Sequence, residues 1–404
     1  MLRFLTAGES HGPKLTAILD GIPANLPVSL DDINLELRLR QGGIGRSSRQ
    51  KIESDQLIVV GGIRHGLTTG GPIGLEIINN DYQNWHKIMS VWSDENSANR
   101  EIQDSINKLA SFRPGHADLA GLIKFKHNDI RNVLERASAR ETAIRVGCGA
   151  ICLTLLNALG IKLASHVTSL GGIESSIDAS GLSWQQITDR LKSSSLYCLD
   201  QECELHMVDL IKATHKIGDS LGGCVEVIAC DLPVGLGSYT QWDKRLDGLL
   251  AQSLMSIQAV KVVEIGNGIK ASSMTGSSVH DALYLNKENS KLPFKTNTNN
   301  SGGIDGGMTN GQRLVVRAFM KPIPTITKGL PTLSYPDFNE TKAFYERSDV
   351  CAISSLSIIA KAMTAFTLAQ AILDKFGGDD FNDLKLSVDN HFDYVNKLVN
   401  KKSI

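Results

Sequence analysis

From Ile130 to about Leu159 the chain contains few helix breakers and grows steadily more apolar, which predicts one long helix whose second half is buried on most sides. Such a helix has no face to give to solvent, so other elements must surround it. A second run, from about Ala352 to Lys375, predicts a long C-terminal helix that completes the core. Strand signals lie between and before them. Leu2 to Thr6 is a short apolar run closed by Gly8, and it reads as a strand entering a loop with Glu9, Ser10 and His11. Residues 57–80 hold two apolar runs, LIVVGGI and PIGLEII, split by RHGLTTGG, a pattern for two strands joined by a glycine-rich connection. Further strands are predicted within GGCVEVIACDLPVGLG (222–237) and at Leu314–Met320.

Ser29 followed by Asp32 resembles a helix N-terminus, and Ile33, Leu35, Leu37 and Leu39 continue it until Gly42 and Gly43. Another helix is predicted from Leu246 to about Val260, and the tail after Asn382 reads as amphipathic helix. Residues 86–110 are irregular and are expected to be mobile. Residues 174–216 are polar with weak periodicity and read as a solvated peripheral insertion; 291–312 reads as an Asn- and Gly-rich loop.

At 404 residues the chain exceeds the size at which one core usually stops growing, so one large elaborated domain or two intimately joined lobes are expected. Its 42 Lys and Arg balance 43 Asp and Glu. That balance gives no global field for nucleic acid or an anionic membrane, and any anion binding must be local. Seven cysteines without a CxxC pair fit free thiols in a reducing compartment, with no disulfide and no metal site. The most apolar stretch, Val146 to Leu156, falls short of the roughly 20 residues of a membrane span. The N-terminus carries an early acidic residue and no long apolar segment, so the cytoplasm is expected.

GESHG (8–12) sets His11 between glycines, where the backbone can approach a ligand, and histidine is the residue type suited to proton transfer near neutral pH. RPGHAD (113–118) repeats this grammar with Arg113 as an anion clamp, a Pro-Gly turn, and His116 near Asp118. Either motif alone fits an ordinary surface turn. RQGGIGRSSR (40–49) surrounds a glycine loop with Arg40, Arg46 and Arg49, but lacks the ending of a P-loop and the GxGxxG dinucleotide fingerprint. ERASARET (135–142) is expected to open the long helix with Arg136 and Arg140 on one face. NNSGGIDGGMTNGQ (299–312) has the glycine density of a loop that approaches something flat. KPIPTI (321–326) is a stiff turn bearing Lys321, and ERSD (346–349) carries Arg347 and Asp349. Seven arginines in such contexts match a ligand with several negative charges, such as a dicarboxylate bearing phosphate, together with a phosphorylated cofactor.

In this order, GESHG, RQGGxGR, RPGHAD, ERASARET, PVGLGS, NNSGGxxGGMTNGQ, KPIPT and ERSD resemble the chorismate synthase family, from Met1 to about Lys375. The resemblance implies an α+β fold, a sandwich of antiparallel β-sheets around a helical layer, as a single large domain over 1–404 and usually a homotetramer. It implies a lyase that eliminates phosphate from 5-enolpyruvylshikimate 3-phosphate to give chorismate, with reduced FMN required although no net redox change occurs. By the same resemblance His11 protonates the departing phosphate, His116 supplies a proton near flavin N1, and Asp349 assists removal of the C6 proton at the flavin N5 region. Arg40, Arg46, Arg49, Arg113, Arg140 and Arg347 would hold the substrate anions. Arg136, Ala137, Ser138, Gln258, Ala259, Gly306, Lys321, Pro322, Ile323, Pro324, Thr325 and Arg347 would meet FMN. Arg40 and Arg46 would be the contacts for NADPH, which enters only as an indirect reductant.

Two departures stand out. The family commonly shows two serines where this chain has Ala137 and Ser138, and Asn-Ala where it has Gln258 and Ala259, which removes one hydroxyl and lengthens one amide near the flavin. A lost hydrogen bond is worth about 0.5–1.5 kcal/mol. Rival readings are an NAD(P)H:flavin oxidoreductase, against which the missing dinucleotide fingerprint argues, and a catalytically silent flavin or anion binder, against which His11, His116 and Asp349 argue.

Overall fold

The computed structural model describes residues 1–45, 54–92, 109–286, 292–344 and 349–400. The chain first forms a four-stranded antiparallel sheet from β1 (Arg3–Ala7), β2 (Lys14–Asp20), β3 (Leu57–Gly61) and β4 (Ile73–Ile78), ordered β1-β2-β4-β3. A five-stranded antiparallel sheet follows, built from β5 (Lys162–Leu170), β6 (Ile173–Glu174), β7 (Gly223–Cys230), β8 (Val260–Ile265) and β9 (Leu314–Met320), ordered β8-β9-β7-β5-β6. The principal helices are α1 (Leu30–Gln41), α2 (Asp118–Phe125), α3 (Arg131–Ala137), α4 (Thr142–Ala158), α5 (Trp184–Ser193), α6 (Gln201–Lys216), α7 (Leu246–Met255), α8 (Ile353–Phe376) and α9 (Phe381–Asn400).

Alternation along the strands explains the layering. Leu15, Ala17 and Leu19 of β2 and Ile73, Leu75 and Ile77 of β4 are buried on one face of the first sheet. In the second sheet the buried set is Leu163 and Val167 of β5, Val225, Val227 and Ala229 of β7, and Leu314, Val316 and Ala318 of β9. Ser165 lies on this same face and accepts a hydrogen bond from Ser357 of α8 at 2.8 Å, which identifies it as the helix-facing side. Each such aliphatic residue is worth roughly 1.5–3 kcal/mol of burial.

Between the two faces lies the helical layer. α4 rests on β2 and β4, α8 rests on β5 and β7, and α1 touches both helices. A Cβ on Gly149 of α4 would fall 2.6 Å from both Cβ and the carbonyl oxygen of Ala362, so glycine lets α4 and α8 approach at backbone distance. The result is the antiparallel sandwich around helices that the motif resemblance implies.

Three elements differ from the sequence reading. The helix expected over Ile130–Leu159 is broken at Ser138, whose backbone is extended (φ −63°, ψ 141°) and whose hydroxyl accepts the Arg140 N–H at 3.3 Å. A serine that caps the turn after it competes with continuous helix, and here the cap wins. The helix expected to reach Val260 ends at Met255, and β8 follows; the β-branched Val260, Val262 and Val263 carry that signal. Residues 174–216 are less solvated than their composition suggests. Ile187 of α5 sits with Ala164 and Ile228 on the outer face of the second sheet, and Met207 of α6 joins the main core. The expectation for 86–110 falls largely on 93–108, outside the described residues.

Among the described residues α8, rather than Val146–Leu156, is the run long and apolar enough to cross a bilayer. Its place between two sheets accounts for that composition.

Candidate active site

A cavity of about 480 Å³ opens where seven segments meet: the loop after β1, the end of α1, the turn before α2, the α3–α4 break, the α7–β8 connection, the loop after β9 and the approach to α8. Each brings chemistry the helical layer alone does not carry.

His11 reaches the cavity on the GESHG loop. Gly8, at φ +104°, turns the chain where a Cβ would strike the Lys14 carbonyl. Asn79 Nδ2 holds the loop by donating to Gly12 O (2.9 Å) and Ser10 O (3.4 Å). His11 Nδ1 lies 2.9 and 3.0 Å from the two carboxylate oxygens of Glu135, and the His11 main-chain N–H donates to Glu135 Oε2 at 2.8 Å. Arg131 Nη1 donates to Glu135 Oε1 at 3.2 Å, and Trp85 stacks on the imidazole at 3.9 Å. Burial would raise the Glu135 pKa, but the hydrogen bonds and charge of His11, with the charge of Arg131, outweigh it and hold the carboxyl below its ordinary value.

His116 is built in the same style. Its Nδ1 lies 2.5 Å from Asp118 Oδ1. Arg113 grips Asp118 through three donors, its main-chain N–H (3.0 Å) and Nε (2.9 Å) on Oδ2 and Nη2 (2.9 Å) on Oδ1. Asp118 is fully buried, which by itself would raise its pKa, yet the bonds from Arg113 and His116 hold it well below the usual carboxylate range. Lys321 donates to the Gly115 carbonyl and ties this turn to the loop after β9. Burial, then the charge of Lys261, pushes the Lys321 pKa down.

A third buried carboxylate, Asp55, serves arginines without an imidazole. Arg140 donates to both Asp55 oxygens at 2.6 Å, and Arg40 Nη1 reaches the same carboxylate at 3.5 Å. Arg40 also donates to Thr142 Oγ1 (3.0 and 3.2 Å) and Ala139 O (3.3 Å). In the α7–β8 connection Gln258 Nε2 donates to Glu141 Oε2 at 3.4 Å, which leaves Gln258 Oε1 as a buried acceptor with no hydrogen-bond partner among the described residues. Ala259 beside it holds φ at +70°, a conformation non-glycine residues rarely adopt.

The structure thus brings His11, His116, Asp349, Arg40, Arg113, Arg140, Ala137, Ser138, Gln258, Ala259, Lys321, Ile323, Pro324 and Thr325 to one cavity. Arg136 does not join them. The break at Ser138 separates it from Arg140, and its guanidinium donates instead to Thr6 O, Thr6 Oγ1 and Gly8 O. Pro322 and Gly306 do not line the cavity either; Gly306 sits in open space on the turn of a small hairpin. Arg46, Arg49 and Arg347 lie outside the described residues.

Glu135, Asp55 and Trp85 are functional-site residues that the motifs do not single out. Arg131 and Glu135 at i and i+4 were a visible pair, whereas Asp55 and Trp85 carry no local signal.

Fold and site together define an enzyme for a small, multiply charged anion, with two carboxylate-backed imidazoles beside buried guanidiniums. The family model for chorismate synthase matches residues 2–373. Chorismate synthases of Desulforamulus reducens and Shouchella clausii are 47% and 45% identical, the alignments covering 98% and 96% of this chain and 100% and 98% of those proteins. A crystal structure of chorismate synthase superposes with a TM-score of 0.77 at 38% identity, covering 98% of both chains. The chain belongs to the chorismate synthase family. It is a lyase of the shikimate pathway that eliminates phosphate from 5-enolpyruvylshikimate 3-phosphate in a 1,4-anti sense to give chorismate, with a flavin requirement and no net redox change.

Proposed function

We propose that the required flavin is reduced FMN, that it lies against the Gln258–Ala259 and Lys321–Thr325 walls, and that substrate lies toward Arg40, Arg113 and Arg140. The observation that carries this reading is the pair of imidazoles facing one cavity, each with a buried carboxylate on Nδ1. The cavity also suits a flat heterocycle with an N–H edge. Apolar side chains such as Leu134, Ile257 and Ile323 form much of the wall, and Gln258 Oε1 is a buried acceptor that a ligand N–H would satisfy.

When bound, reduced FMN supplies transient electron density to the allylic system as phosphate departs. The chain's residues do the rest. Arg40, Arg113 and Arg140 bind carboxylate and phosphate oxygens, aided by Arg46, Arg49 and Arg347. Asp55 and Asp118 set the orientation of Arg40, Arg113 and Arg140 beforehand, so little reorganisation of these three accompanies binding. His11 delivers a proton to the departing phosphate, His116 holds a proton at the flavin N1 edge, and Asp349 assists removal of the C6 proton. Arg40 and Arg46 are also the contacts assigned to NADPH, an external source of reducing equivalents. The working form is a cytoplasmic homotetramer, which sedimentation of the purified protein tests.

The decisive assay is anaerobic, with chemically reduced FMN and 5-enolpyruvylshikimate 3-phosphate, following phosphate and chorismate. Stoichiometric release supports the reading; no product from protein with FMN bound overturns it. Flavin bleaching by NADPH alone would assign the reductase activity to this chain as well.

A further inference from the structure

Three residues that do not line the cavity converge on His11. Glu135, 1% exposed, meets His11 at the main-chain N–H and, through both oxygens, at Nδ1. Arg131, one turn earlier on α3, donates to Glu135 Oε1. Trp85 covers one imidazole face with ring planes 28° apart, and the Arg131 guanidinium lies 5.3 Å from the same indole ring. None of the three belongs to the residues assigned above.

An ionised carboxylate only accepts hydrogen bonds, so a ring nitrogen held between its two oxygens must carry the proton, whether the imidazole is neutral or charged. Glu135 is kept ionised, since its pKa is held down despite burial by His11 and Arg131. Because Nδ1 is directed at a residue outside the cavity, the ring edge on the cavity side is that of Nε2.

Deepening the assignment of His11 as acid, we propose that Glu135 is the positioning residue of His11: it holds the proton on Nδ1 and turns Nε2 toward the substrate phosphate. In the step this serves, the Nε2–H bond breaks and an O–H bond forms on phosphate. The C–O bond breaks with its electron pair leaving on phosphate, the C6–H bond breaks and its pair enters the new diene as that proton is removed, and His11 ends neutral with its proton on Nδ1. Arg131 fixes the Glu135 carboxylate in its turn, and Trp85 closes the imidazole face against water and ring rotation.

Nitrogen-15 NMR of the full-length protein labelled at histidine, with His11→Gln for assignment, tests this without turnover. Neutral His11 is expected to carry its proton on Nδ1. A neutral His11 protonated on Nε2 overturns the proposal, and it does so whether or not the lyase assay succeeds. Glu135→Gln is the second arm, since its amide oxygen can still accept the main-chain N–H while the carboxylate is lost. It is expected to lower kcat by about 10- to 100-fold, with KM within about threefold of wild type, unchanged FMN affinity, and partial rescue in Glu135→Asp. Wild-type kcat in folded Glu135→Gln, or a loss confined to KM, overturns the proposal. Should Glu135→Gln fail to fold, the wild-type spectrum decides.

Discussion

His11 and His116 each rest on a buried carboxylate that an arginine clamps in turn, but the two units use the arginine differently. Behind His11, Arg131 stays out of the cavity and Trp85 seals the ring. Behind His116, the clamping arginine is Arg113, which itself lines the cavity, and Phe344 lies 5.6 Å from its guanidinium. The first unit is dedicated to orienting one imidazole. In the second, His116 and the arginine on the cavity wall share a single carboxylate, so neither can be altered without the other. The same three functional groups, imidazole, carboxylate and guanidinium, therefore produce a separable device behind His11 and a coupled one behind His116.

The comparison is tested hardest by removing the imidazoles. His11→Ala and His116→Ala are each expected to lower kcat by about 10²–10⁴-fold, the range of general acid contributions, while both proteins still bind FMN by equilibrium titration. A wild-type rate in either would dissolve that unit. Asp55→Ala removes the carboxylate that serves arginines and no imidazole. Breaking a buried ion pair on one side costs about 3–5 kcal/mol, so urea unfolding should show that loss together with a raised KM.

Asp118→Asn separates the two units directly. It should lower kcat and raise KM together, for a loss of roughly 100-fold in kcat/KM, whereas Glu135→Gln acts on kcat alone. Similar kinetic signatures in the two variants would remove the distinction between coupled and dedicated units.

Acid stability probes both carboxylates at once. Asp118 and Glu135 titrate lower in the folded chain than their ordinary values. They therefore contribute stability that is complete above the unfolded carboxyl values of about 4 and is lost as pH falls through the folded ones. Urea midpoints should hold between about pH 7 and 5 and drop below that, with Asp118→Asn flattening part of the drop. Trp85→Phe is the mildest change. It keeps a ring on His11 and should alter kcat by only about two- to tenfold, in line with an aromatic contact of about 0.5–1.5 kcal/mol.

Much of the fold was legible locally. Ser29 does cap α1, accepting the Asp32 N–H at 3.3 Å, and the runs at 57–80 do pair as β3 and β4. The α3–α4 break was not legible, because a serine inside a helical run caps a turn only where other contacts support it, and those that support the Ser138 cap are remote. Arg136 is drawn to β1 and Arg140 to Asp55, contacts that accompany the Ser138 cap on either side of the break.

By itself the sequence determined the alternation that makes two sheets, the apolar helices that must lie between them, and the glycine turns that carry two histidines among arginines. These depend on residues near one another along the chain, where period, capping and glycine have fixed physical meanings. Only the tertiary structure decided that Glu135 stands behind His11, that Arg113 lines the cavity while clamping Asp118 behind His116, and that Arg136 and Gly306 lie off the cavity of this chain. Those outcomes depend on which buried charges find partners, and Glu135 meets His11 across 124 positions of sequence.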